Sequence, residues 1–246
     1  MEKLRSAWDT ALGTSLSLKR IAGAALQWLW MLMMFYSIVP YGFSSDVRGS
    51  LYVSLIISLV AMVVTMLFVA VIVRRERVSG NRSIVLGSAI MMSAGSVLTP
   101  FSDPTTPVGM LVLGLSAVMT GTGSAVLFLC WIELESGLGG RLALVELASS
   151  LCVAFIVGFL LIAGPAIPVI ALVVIMPVLS AAVLRRSAPD TPQLPREPEQ
   201  PLSRHTITLF AKALLGAVLI GMLMGFFDVV SGFKTYEVQD ILGTYL

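Results

Sequence analysis

Apolar residues fall along this chain in long runs separated by short polar intervals. A bilayer core needs about 20 consecutive apolar residues at 1.5 Å rise each, because each backbone polar group inside it must be paired within the segment. Seven stretches meet or approach that length: 21–43, 51–73, 83–100, 107–131, 142–163, 166–184 and 206–230. The third is short, and the tight Gly164-Pro165 turn leaves a re-entrant pair as an alternative for the fifth and sixth. The pattern predicts an all-α polytopic transmembrane helix bundle, with a six-helix block at 21–184 and a seventh helix at 206–232. Around these lie a cytoplasmic lead-in (1–20), a linker (185–205) and a tail (233–246).

The lead-in alternates charge with Trp8, Leu12 and Leu16, which suits a helix lying along the inner interface as well as a disordered segment. The apolar run from residue 21 is longer than a signal-peptide core and lacks a small-residue cleavage site, so it reads as a retained span. The linker carries Pro189, Pro192, Pro195, Pro198 and Pro201 at a three-residue spacing. That repeat favours a polyproline II spacer over a docking site for a proline-reading partner.

Composition narrows the solvent. With 57% hydrophobic and only 12% charged residues and a mean hydropathy of +0.94, the chain has about half the charge needed to solvate a globular surface. The predicted partner is the lipid bilayer. Basic residues then set the orientation. Lys3, Arg5, Lys19, Arg20, Arg74, Arg75, Arg77, Arg82, Arg141, Arg185, Arg186, Arg196 and Arg204 fall on one side of the predicted spans, against Arg48 alone in the opposite loops. The positive-inside rule puts the N-terminus in the cytoplasm and the chain in the inner (cytoplasmic) membrane. A net charge of +2 gives no reason to expect nucleic acid bound by the chain itself.

Cys130 and Cys152 sit in apolar runs and read as small buried hydrophobes. His205 is the only histidine, so no zinc site is expected. No hydrolase, metalloprotease or phosphate-loop motif is present, and the expectation is a non-enzyme without cofactor.

Candidate polar sites cluster around the end of the fourth span. Gly121 and Gly123 allow close helix approach, Trp131 falls where an interfacial aromatic belongs, and Glu133 and Glu135 precede Arg141 across a Gly-rich turn. Those charges form either a clamp between two helix ends or ordinary solvated pairs. Glu146, about one turn into the fifth span, is an intramembrane acid within reach of Arg141. Lys212 and Asp228 lie near opposite ends of the seventh span, where each can snorkel. Trp28 and Trp30 fall mid-membrane, where packing is favoured over lining a cavity.

The stretch 121–161, GTGSAVLFLCWIELESGLGGRLALVELASSLCVAFIVGFLL, resembles the fourth-to-fifth-helix region of membrane-embedded LuxR-type transcriptional regulators. The matching positions are Gly121, Gly123, Trp131, Glu133, Leu138-Gly139, Arg141 and Ser149/Ser150. KALLGAVLIGMLMGFF at 212–227 is similar to that family's seventh helix. The resemblance implies the front half of a twelve-helix, major-facilitator-like membrane part whose DNA-binding helix-turn-helix is not within these residues. Three readings follow: a sensory membrane half with a small-molecule ligand and a missing second six-helix half, half of a major-facilitator-like secondary transporter, or a truncated fragment without independent function.

Overall fold

The structure is a computed structural model that describes residues 16–72, 78–138 and 140–187. The described residues all belong to one compact unit within Met1–Leu194. The expected seventh span, proline linker and tail lie outside the described residues, as do Lys212 and Asp228.

The described residues form six α-helices: α1 Leu18–Tyr36, α2 Val47–Ile72, α3 Arg82–Leu98, α4 Pro107–Ser136, α5 Gly140–Ile162 and α6 Ala166–Ser187. Among the described residues there is no strand. Local chemistry sets the starts. The Ser17 hydroxyl accepts from the Arg20 N–H, Asn81 Oδ1 accepts from the Ser83 and Ile84 N–H groups, and the Thr106 hydroxyl accepts from the Gly109 N–H. Each cap satisfies donors that a helix leaves unpaired, and Pro107 follows Thr106 where its missing N–H costs nothing. Short 3-10 turns at Val39–Tyr41 and Thr99–Phe101 carry the chain out of α1 and α3.

Five of the helices, α2 to α6, are long and apolar enough to cross a membrane. The first predicted span is realised differently. Its helix stops at Tyr36, and Lys19 and Arg20, assigned to the lead-in by sequence, form its first turn. Although α1 falls short on composition, most of its length is buried. A helix walled by protein need not be apolar over most of its surface, whereas α2 and α5, largely exposed, are. The fifth and sixth predicted spans are helices of 23 and 22 residues that each pack on α1.

Helix packing follows a definite order: α4 packs on α2 and α3, α1 packs on α5 and α6, and α3 packs on α6. Exchanging α1 with α4, α2 with α5 and α3 with α6 returns the same set of pairings. The α2–α4 contact becomes α5–α1, α3–α4 becomes α6–α1, and α3–α6 becomes itself. Related helices run in opposite directions, because each lies three helices further along the chain. The starts of α1, α3 and α5 share one end with the finishes of α4 and α6. There Arg20 meets Glu146, Glu133 meets Val78 and Ser79, and Lys19 meets the Arg186 carbonyl. At the other end, Ser45 meets Asp103.

Side chains obey the same exchange. Trp30 of α1 donates its indole N–H to Ser96 of α3 at 3.0 Å, and Trp131 of α4 donates to Ser180 of α6 at 3.0 Å. Small residues bring the helices together in both halves. A Cβ on Gly23 would lie 2.5 Å from Val183 of α6, and one on Gly123 would lie 2.7 Å from Met92 of α3. Gly121 leaves room for the Ser58 backbone, so α2 and α4 meet almost backbone to backbone.

These contacts predict an asymmetric response along α4. Gly121→Val overpacks the α2–α4 contact and costs about 1–3 kcal/mol. Gly114→Val, where a Cβ meets nothing within 4 Å, leaves stability unchanged. Thermal unfolding in detergent, followed by circular dichroism, compares the two.

Candidate functional site

The site begins at the first turn of α1. Arg20 Nε donates to Glu146 Oε2 at 2.8 Å, and Nη2 donates to Oε1 at 2.6 Å. Both side chains are buried, Arg20 at 8% and Glu146 at 2% relative exposure. The Ser17 backbone N–H adds a third donor to Glu146 Oε1 at 3.0 Å. The fork matches the carboxylate geometrically, and the third bond uses remaining acceptor capacity, as a buried pair requires to offset desolvation. Glu135, half-buried near the end of α4, interacts electrostatically with both members. Residues from three helices thus share one charged cluster.

Glu146 therefore has a partner beyond its own helix. Its partner comes from α1, 126 residues away in sequence. The side chain of Arg141 lies outside the described residues, so the expected clamp with Glu133 and Glu135 is described only from their side. Glu133 is held by the neighbouring loop, accepting from the Val78 and Ser79 N–H groups at 3.2 and 2.9 Å. It fixes the entry to α3 onto the end of α4.

Trp131 faces the protein interior. It is buried at 3% exposure and donates inward to Ser180, whose hydroxyl in turn donates to the Gly23 carbonyl at 2.9 Å. The indole N–H that would face headgroups at an interface instead joins α4 to α6 and, through Ser180, to α1. Gly23 makes this possible, since a Cβ there would lie 2.6 Å from the Trp131 ring. Trp28 packs edge-on against Phe128, and Trp30 is fully buried. Cys130 is buried, but Cys152 is exposed on α5, on a helix that packs chiefly through its other side.

Serines supply most of the remaining buried polarity. On α2, Ser50, Ser54 and Ser58 recur every fourth residue, all buried. On α5 the same spacing holds Glu146, Ser150, Ala154 and Gly158. A four-residue repeat keeps one stripe of a helix small, and each stripe lies on a helix with one main neighbour, α4 or α1. Tyr41 closes the opposite end, donating to Met34 O and lying 2.9 Å from the Ser54 hydroxyl.

Beyond that end, two loops are stapled by Asp103. It accepts from the Ser45 hydroxyl at 2.7 Å and from the Thr105 hydroxyl and N–H at 2.7 and 3.0 Å. These bonds, led by the Thr105 hydroxyl, hold its carboxyl down to about 2.

Among the described residues no group of His, Cys, Asp or Glu could hold a metal ion. No protein-family model, curated protein or solved structure matches the chain.

Two outcomes follow. Arg20→Met or Glu146→Leu alone leaves a buried charge without its partner and costs about 3–5 kcal/mol, whereas the double variant recovers most of the loss. A double-mutant cycle on unfolding in detergent reads the coupling. At the loop staple, the folded carboxyl lies below its unfolded value. Its contribution is therefore present above the ordinary aspartate range and lost as pH falls through about 2. Thr105→Ala moves the Asp103 titration upward, measured by NMR of the side-chain carboxyl.

Proposed function

We propose that the chain is a multi-pass protein of the cytoplasmic membrane, oriented with its N-terminus inside, and that it forms the sensory membrane half of a LuxR-type transcriptional regulator. The observation that carries the reading is the exchange relation among the six helices, in which α1–α3 and α4–α6 pack as two inverted triplets. Inverted three-helix repeats are the plan expected of half of a major-facilitator-like fold, which is the membrane architecture implied by the sequence resemblance at 121–161. Fold alone does not choose an activity, so the choice between sensing and transport rests on the charges.

Ion-coupled transport uses ionisable side chains near the bilayer midplane. In α1 to α6, Asp, Glu, Lys and Arg fall only in the first or last turns, apart from Glu146. Glu146 is closed onto Arg20 and Ser17 near one end. That arrangement suits a block whose buried charge is already paired and that reports a conformational change better than it suits a proton-driven carrier. The ligand of such a sensor is a small molecule bound between this block and a second six-helix half.

A paired measurement separates the readings. Under the sensory reading, deleting the gene changes transcript levels of a restricted gene set and leaves uptake of radiolabelled solutes unchanged. Loss of uptake of one solute class with unchanged transcripts supports the transporter half instead, and no change in either supports the fragment. For orientation, a reporter fused after Gly80 is active only if that loop is cytoplasmic, and one fused after Phe101 only if that loop is external.

A further inference from the structure

Gln27 lies in the middle of α1 with 1% of its surface exposed, and neither Nε2 nor Oε1 has a hydrogen-bond partner. A primary amide brings two donors and a carbonyl with two lone pairs. Left unpaired in an apolar interior, such a group is among the most unfavourable a helix can carry. Three other buried polar side chains on or against α1 are paired. Trp30 donates to Ser96, Trp131 to Ser180, and Arg20 to Glu146.

Packing does not call for an amide here. Three residues before Trp30 stands Gln27, and three residues before Trp131, its counterpart under the helix exchange, stands Phe128. The fold therefore fills the related position with a hydrocarbon ring, which packs on Trp28. Gln27 has a use that shape alone does not provide.

The neighbouring groups identify the missing partner. Gly23 and Trp30 lie about one turn to either side of Gln27 on the same face of α1. Each donor at these positions is already engaged. The Trp30 and Trp131 N–H groups go to serines, the Ser180 O–H goes to the Gly23 carbonyl, and the Ser96 O–H goes to the Met92 carbonyl. What remains unused is acceptor capacity on serine and carbonyl oxygens. The Gln27 carbonyl needs a donor, so its partner must bring hydrogens of its own and also accept from Nε2. Water does both, and buried water characteristically bridges polar groups that protein atoms leave unmatched.

We propose that Gln27 holds an internal water site within the helix block, a hydrated point halfway along the central helix. This goes beyond the sensory reading and does not depend on it.

The test is water-edited solid-state NMR on the full chain in lipid bilayers, with Gln193, Gln200 and Gln239 each replaced by Glu. Gln27 and Asn81 then supply the only side-chain amides, and exposed Asn81 serves as the hydrated reference. Asn81→Asp and, where it folds, Gln27→Leu assign the two signals. The expected result is transfer of water magnetisation to Gln27 Nε2 at a rate within about threefold of that at Asn81, as for a water in direct contact. A Gln27 signal that stays dark while Asn81 builds up overturns the proposal.

Discussion

A block surrounded by hydrocarbon has no outside water to which a buried polar group can turn, and this single constraint explains most of the side-chain arrangement. Serine and threonine hydroxyls return to carbonyls of their own helix, as Ser88, Ser124 and Ser150 do, or bridge to the next one, as Ser58 does to Ala117. Ser93 donates to Val174 of α6, close to the turn in which Pro177 removes a backbone donor. The charged pair is permitted on the same terms, because Arg20 and Glu146 neutralise one another and a backbone N–H takes up further acceptor capacity.

Helix α1 concentrates the consequences. It is the least apolar of the six and also the helix held on several sides, by α5, α6 and, more lightly, α4. Apart from Gln27, its polar groups lie where protein can answer them: Arg20 toward α5, the Gly23 carbonyl toward α6, Trp30 toward α3. The counterpart helix α4 meets the same packing problem with different chemistry. Ten residues before its tryptophan it has Gly121, which admits the α2 backbone, where α1 has Arg20, which reaches a carboxylate on α5. Two triplets of helices with one packing plan have thus diverged in polarity, and the charge lies in the α1–α5 contact.

Much of the architecture was legible in the sequence, because apolar run length is a direct consequence of hydrocarbon thickness. Helices α2 to α6 fall within a few residues of the runs that predicted them, and the glycines at 121 and 123 were readable as close-approach points. Facing was not legible. In a soluble helix the polar stripe marks the outside, but in α2, α4 and α5 the exposed side is apolar and small polar residues such as Ser54, Thr120 and Ser150 are buried, so the usual reading of periodicity points the wrong way. Hence Trp131 looked interfacial although it is buried, and Cys152 looked buried although it is exposed. The Arg20–Glu146 pair was hidden for another reason. Arg141, five residues from Glu146, is the local candidate, and only the packing of α1 on α5 brings in a partner from far along the chain. Gln27 could have been singled out as a lone amide inside an apolar run, the one signal in that stretch that hydropathy averages away.

The central claim is that lipid, not water, surrounds the six-helix block, and washing cell membranes with alkaline carbonate tests it most directly. The account predicts that the chain stays with the membrane pellet and is released only by detergent. Its recovery in the carbonate supernatant, as a folded protein needing no detergent, would contradict the account.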